Sequence, residues 1–223
     1  MLSGKSILLK ASLLGLLGVQ SCGTDADFSQ NGSSQLDGYY DSSKLWSNKT
    51  IRVCWDDLSD SNATDRQYVR DRIRDTWERH SALKFIGWDE CEFFRDEDIH
   101  IEVDDVGPHA DGLGDDISFT GSMTLNFTFR NWGSSCTSST SQRNNCIGSN
   151  AIHEFGHALG LAHEHNRSDR PANCTSPTQG SNGDTMVGSF DRDSIMNYCY
   201  NSSYNNRLSA GDIQTIQQMY GTP

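Results

Sequence analysis

The sequence has no apolar run long enough to cross a bilayer comfortably, no segment that recurs at a fixed period, and few cations for its length. The absence of a repeat excludes solenoids and propellers, and 223 residues then suit one domain of ordinary size with short appendages. Eighteen Lys and Arg against 30 Asp and Glu give a formal net charge of −12, which repels phosphate backbones and excludes nucleic acid as a partner. That acidity reads as a solvated surface, with an attraction for basic substrates as the alternative. Cysteines never occur as C-x-x-C, so a cysteine-rich metal site has no support. What is present suits a soluble core: 35% hydrophobic and 22% charged residues, with Trp46, Trp55, Trp77, Trp88 and Trp132 as bulky core material.

Lys5 and Lys10 stand before or within an apolar run that ends Leu13-Leu14-Gly15-Leu16-Leu17-Gly18-Val19, the layout of an export signal over residues 1–21. Val19-Gln20-Ser21-Cys22 resembles a bacterial lipobox, in which the signal is cut before a cysteine that then carries lipid. The expectation is a cell-envelope protein, at the outer membrane, anchored through Cys22; ordinary cleavage and secretion is the alternative. Of seven cysteines, Cys54, Cys91, Cys136, Cys146, Cys174 and Cys199 remain, and in an oxidising compartment they can close three disulfides. Six cysteines allow fifteen pairings; the one expected is Cys54 with Cys91, Cys136 with Cys146 and Cys174 with Cys199. Residues 22–44, rich in Ser, Gly, Asp and Asn, are expected to be a flexible tether, with order beginning near Leu45-Trp46 and a single domain over 45–223.

Within that domain Ile51, Val53 and Trp55 alternate as a strand does, and Val69, Ile73 and Trp77 recur every fourth residue, which predicts a helix over Asp65 to His80 with one buried stripe. Leu83 to Ile86 and Ile99 to Val103 predict further strands. A loop with Gly107-Pro108, Gly112 and Gly114 leads to a fourth strand, Met123 to Phe129, read as the sheet edge on which an extended peptide docks. Ile147 to Leu161 is the most helix-like apolar segment. A polar, Gly-rich stretch follows, and a last helix from Ala210 to Tyr220 has Ser209 as N-cap with Asp212 three residues on.

His153-Glu154-Phe155-Gly156-His157 is an H-E-x-x-H motif, and residues four apart on a helix share a face, so both imidazoles can reach one ion. The pattern continues to His163 through Gly160, which can take the left-handed conformation that stops a helix and turns the chain back. Three neutral nitrogens with an open fourth position make a catalytic zinc site. Zinc then lowers the pKa of water toward ~7, with Glu154 as the general base rather than a ligand. His165 reads as an exposed loop residue, and His80, His100 and His109 as incidental. Asp104, Asp105, Asp111, Asp115 and Asp116 offer oxygens for calcium but lack the spacing of an EF-hand, and read as a solvated acidic loop.

The extended histidine pattern resembles that of the metzincin metallopeptidases, over most of the chain from Leu45 onward, and Ser194-Ile195-Met196-Asn197-Tyr198 is similar to their methionine-bearing turn. His163-Glu164-His165-Asn166-Arg167-Ser168-Asp169-Arg170 is similar to the astacin extension, whereas Leu208 to Asp212 looks more like matrixins. The resemblance implies an α+β, zincin-like catalytic domain: a twisted mixed sheet with two long helices, then an irregular C-terminal subdomain with a final helix. It implies zinc on His153, His157 and His163, catalysis by Glu154 and Tyr198, and protein or peptide substrates cleaved by a monomeric metalloendopeptidase. A catalytically inactive, zinc-containing surface module that only binds peptides is the alternative. In astacins the Glu at position 164 meets a new N-terminus made on activation, so Glu164 here needs either another partner or a second cut near Leu45. Arg167 and Asp169 are expected to form structural hydrogen bonds around the helix-to-loop junction.

Overall fold

A computed structural model describes residues 37–92, 98–200 and 206–223. The signal, the lipobox cysteine Cys22 and most of the expected tether lie outside the described residues. Among the described residues no helix is long and apolar enough to cross a membrane.

Seven strands are described: β1 (Gly38–Tyr40), β2 (Thr50–Trp55), β3 (Lys84–Glu90), β4 (Ile99–Val103), β5 (His109–Ala110), β6 (Met123–Leu125) and β7 (Thr185–Val187). With them come helices α1 (Ala63–Ile73, continued by a π-helical turn Arg74–Glu78), α2 (Ile117–Thr120), α3 (Thr140–Ala158) and α4 (Ala210–Tyr220). A five-stranded sheet has the order β3-β2-β4-β6-β5, with β5 alone antiparallel to its neighbour. The predicted stripe on α1 is buried as expected: Val69, Ile73 and Trp77 join Ile51, Val53, Ile99 and Ile101 of the sheet and Ile152 and Phe155 of α3 in one core. The Trp77 indole N–H, which a buried position obliges to find a partner, donates to the Ile152 carbonyl at 3.0 Å. The three disulfides are Cys54–Cys91, Cys136–Cys146 and Cys174–Cys199, as expected.

Three expectations need correction. The strand expected over Met123 to Phe129 is neither an edge nor that long, because β5 pairs along β6 and takes the edge itself. The alternation misleads beyond Leu125: the Asn126 side chain accepts from Thr128 and Phe129 N–H, turning the backbone out of the sheet. Second, the helix expected from Ile147 begins at Thr140, where Ser139 caps Gln142 N–H and the polar first turns carry no apolar stripe to betray them. Third, the expected tether is ordered from residue 37. β1 pairs antiparallel with β7, and Tyr39 and Asp41 bond the turn after α3 (Ala162 N–H to Tyr39 O, Asp41 N–H to Gly160 O, both 2.9 Å). Main-chain pairing of this kind leaves little mark in side-chain identity, so a Ser- and Asp-rich composition concealed it.

Candidate metal centre

α3 brings His153 and His157 to one face with their rings nearly perpendicular and 4.8 Å apart. Gly160 takes φ +99°, a left-handed backbone open to glycine, and Leu161 N–H reaches back to the Gly156 carbonyl at 3.0 Å. The helix stops and the reversed chain delivers His163, whose Nε2 lies 3.2 Å from both His153 Nε2 and His157 Nε2.

What aims these rings is backbone. His153 Nδ1 lies 2.8 Å from the Ile195 carbonyl, His157 Nδ1 2.8 Å from that of Leu161, and His163 Nδ1 2.9 Å from that of Gln179. A carbonyl can only accept, so each Nδ1 carries the proton and each Nε2 turns a lone pair to the common centre. Three lone pairs converging without a proton call for a cation. Tetrahedral zinc with bonds of about 2.0–2.1 Å sets nitrogens about 3.3–3.4 Å apart, so the donor set fits zinc, and the carbonyls are the outer partners such ligands need. Burial lowers His153 to about 3, helped by the neighbouring His163, and likewise lowers His157 and His163, so all three are neutral. Among the described residues, the other grouping with metal-ligating atoms, Cys54, Cys91 and His100, has both sulfurs in a disulfide.

Glu154 is buried beside the centre, and desolvation pushes its carboxyl up to about 8 against a hydrogen bond from Ala110 N–H on β5. The Tyr198 hydroxyl lies 2.9 Å from His153 Nε2, its ring stacked on that imidazole at 5.1 Å. A cleft of about 450 Å³ is lined by Ala110, Asp111, Gln179 and Ser181, with the buried Glu154, His157 and His163 at its base and the exposed Tyr198 beside them. His109, read as incidental, stands at the rim of this cleft.

Beneath the ligands Met196 is packed so tightly that a Cβ on Gly156 would come within 2.5 Å of its Sδ, which is why the motif carries glycine there. The turn bearing Met196 is held from α4. Asp212, buried at the helix start, completes the predicted capping box with Ser209 and also accepts from Ser194 Oγ (2.7 Å) and Ile195 N–H (2.9 Å). Asn197, fully buried, donates to the Asp191 and Arg192 carbonyls and accepts from Cys199 N–H.

His165 is not exposed as expected but fully buried, its ring 4.9 Å from that of His163 and 5.1 Å from that of Tyr198. Glu164 has another partner than a chain terminus: it is buried, accepts from Asp191 N–H at 2.8 Å and lies 3.5 Å from Arg167. Burial raises its carboxyl to about 8. Arg167, also buried, grips Asp169 through two bonds of 2.8 Å and donates to the carbonyls of Gly38 on β1 and Val187 on β7. Of the aspartates weighed for calcium, Asp105 accepts from Asn126, Arg130 and Asn131, Asp111 from Ser122 N–H, and Asp116 pairs with Lys44.

No protein-family profile matches the sequence, and no curated protein matches it closely. Solved structures do. The structure of myroilysin superposes with a TM-score of 0.56 at 20% identity, over 83% of this chain and all (100%) of that one. High choriolytic enzyme 1, a hatching enzyme zinc-protease from Oryzias latipes, superposes with a TM-score of 0.49 at 19% identity, over 82% of this chain and 96% of its own. The chain thus has the fold of myroilysin, α+β with a mixed sheet as expected.

Proposed function

We propose that the chain is a zinc-dependent metalloendopeptidase that hydrolyses peptide bonds in extended protein segments. The observation that carries this is the convergence of three neutral Nε2 atoms beside a buried carboxyl at the base of a cleft that an exposed strand edge borders. Zinc, when bound, supplies Lewis-acid polarisation of the scissile carbonyl and makes water nucleophilic near neutral pH.

The chain's own groups supply the rest. Asp111 N–H bonds inward to the Ser122 carbonyl, so the alternation of an antiparallel ladder turns the Ala110 groups outward to the cleft; the N–H is given to Glu154, and the carbonyl can accept from an extended substrate. β5 is therefore the docking edge in this reading, in place of β6. Glu154 holds and moves the proton: its carboxylate takes one from the attacking water and passes it to the leaving nitrogen. The Tyr198 hydroxyl, at the mouth of the site, donates a hydrogen bond to the oxyanion as it forms. We further propose export and anchorage through Cys22, on the strength of the N-terminal sequence.

The test is cleavage of a generic unfolded protein by the purified full chain, with and without a chelator, beside Glu154→Gln. Cleavage that needs both the metal and Glu154 is expected, with zinc retained in the variant. One equivalent of zinc and no cleavage by the wild type would replace this reading with that of a binding module.

A further inference from the structure

The stretch between Arg170 and β7 has no ladder to hold it, yet it supplies both the acceptor for the third imidazole and one wall of the cleft. The Gln179 carbonyl receives His163 Nδ1–H at 2.9 Å, Gly180 lies close against the same ring (a Cβ there would be 3.6 Å from Nδ1), and Gln179, Gly180 and Ser181 line the cleft. The Cys174–Cys199 disulfide, Arg170 on the Ser176 carbonyl and Tyr39 on the Gly183 carbonyl hold its two ends, and Asn166 holds the part at Gln179. Asn166 donates from Nδ2 to the Gln179 carbonyl (2.7 Å) and accepts at Oδ1 from Gln179 N–H (3.0 Å), so its amide pairs with both backbone groups of one residue as a strand neighbour would. The two Gln179 backbone groups fix the orientation of the amide, since the reverse would set oxygen against oxygen and N–H against N–H, and the second Nδ2 hydrogen goes to Asn182 Oδ1 at 3.1 Å. Asn166 N–H in turn bonds the His163 carbonyl at 3.0 Å, closing a ring from the imidazole through Gln179 back to the imidazole's own backbone.

We propose that Asn166 is a positioning residue that sets, through Gln179, both the aim of His163 and the width of the cleft at Gln179 to Ser181. The inference rests on the zinc-peptidase reading above and adds to it a residue that touches neither the ion nor the substrate. Only an amide serves: a carboxylate keeps the shape and can still accept from Gln179 N–H, but presents a second oxygen to the Gln179 carbonyl.

The experiment compares the wild-type full chain with Asn166→Asp, Asn166→Ala and, as a control in the same segment, Ser168→Ala. Zinc affinity is read by competition with a chelating dye and KM and kcat with an unfolded protein substrate. Outer partners of metal-bound imidazoles change affinity by about 10–100-fold, and a fall in that range with a raised KM is expected in both Asn166 variants and not in Ser168→Ala. Asn166→Asp, which leaves no gap, carries the test if Asn166→Ala does not fold. Zinc affinity and KM within about twofold of wild type would overturn the proposal, as would a lowered melting temperature of the metal-free chain with zinc affinity intact, the mark of a merely structural role. A wild type that binds no zinc would overturn the peptidase reading itself, and this inference with it.

Discussion

Asp212 stands on the last helix, yet its removal is expected to be felt at His153. Its carboxylate accepts from Ser194 Oγ, Ile195 N–H and Ser209 N–H at 2.7, 2.9 and 2.9 Å, and the Ile195 carbonyl is the acceptor that orients His153. Ser194 and Ile195 are 4% and 2% exposed, so Asp212→Ala strands two donors where water cannot replace the lost acceptor. Each stranded donor costs about 1–3 kcal/mol and the lost cap about 0.5–2 kcal/mol. Relief of the carboxylate's own burial, which pushes its pKa up, offsets part of this. The expected loss is about 3 kcal/mol, a large share of the roughly 5–15 kcal/mol typical of a domain. Ser209→Ala removes the capping hydroxyl alone and is expected to cost about 1 kcal/mol. Urea unfolding of both variants in chelator gives the stability, and dye competition gives the zinc affinity, expected to fall about 10-fold or more for Asp212→Ala and to stay unchanged for Ser209→Ala. Equal losses in the two variants, with zinc affinity unchanged in both, would reduce Asp212 to an ordinary cap and refute the link to the metal centre.

Further outcomes are expected elsewhere. A chain beginning at Leu45 loses β1 and its pairing with β7, and with them hydrogen bonds that include those from Ala162, Asp184 and Arg167 to Tyr39, Tyr40 and Gly38 and from Asp41 to Gly160; at about 1 kcal/mol each these four alone should make it at least roughly 4 kcal/mol less stable, by chemical denaturation, than one beginning upstream of Asp37. Tyr198→Phe should lower kcat while leaving zinc affinity near wild type, because the hydroxyl is needed for turnover and the three imidazoles are held by backbone; an unchanged kcat would remove Tyr198 from the mechanism. In the metal-free chain Glu154 and Glu164 have carboxyls raised from 4.5 to about 8, so the folded state keeps protons that the unfolded state gives up, and this contribution is lost as pH rises toward 8. His153 and His165, lowered from 6.5 to about 3 and about 4, act oppositely but only below about 6.5. Stability in chelator should therefore fall between pH 6.5 and 8, and Glu154→Gln should make that fall shallower; a flat profile would contradict the burial argument.

The ligand set was legible because the chemistry needs it at short range. His153 and His157 share a helix face by spacing alone, and Gly160 marks the reversal that returns His163, so neither depends on the rest of the fold. The capping box at Ser209 and Asp212 and the stripe of Val69, Ile73 and Trp77 are equally local. His165 was misjudged because polarity and a position next to a turn suggest exposure, whereas burial there depends on Tyr198, 33 residues on, bonding it by backbone N–H. β5 is two residues long, too short to show any period, and the Gly- and Pro-containing loop concealed this edge of the sheet.

Residue identity by itself marked out the three histidines that converge, the carboxyl beside them, the capping box and the buried stripe on α1, since each of these depends on side-chain chemistry or on spacing within a few turns. Tertiary structure alone decided which carbonyls aim the three imidazoles, that β5 rather than β6 borders the cleft, that residues from Asp37 are part of the domain, and that Asp212 and Asn166 reach the site through a neighbour's backbone. The physical reason is common to all four: every residue but proline carries the same main-chain donor and acceptor, so a hydrogen bond made to backbone leaves no signature in the partner that receives it.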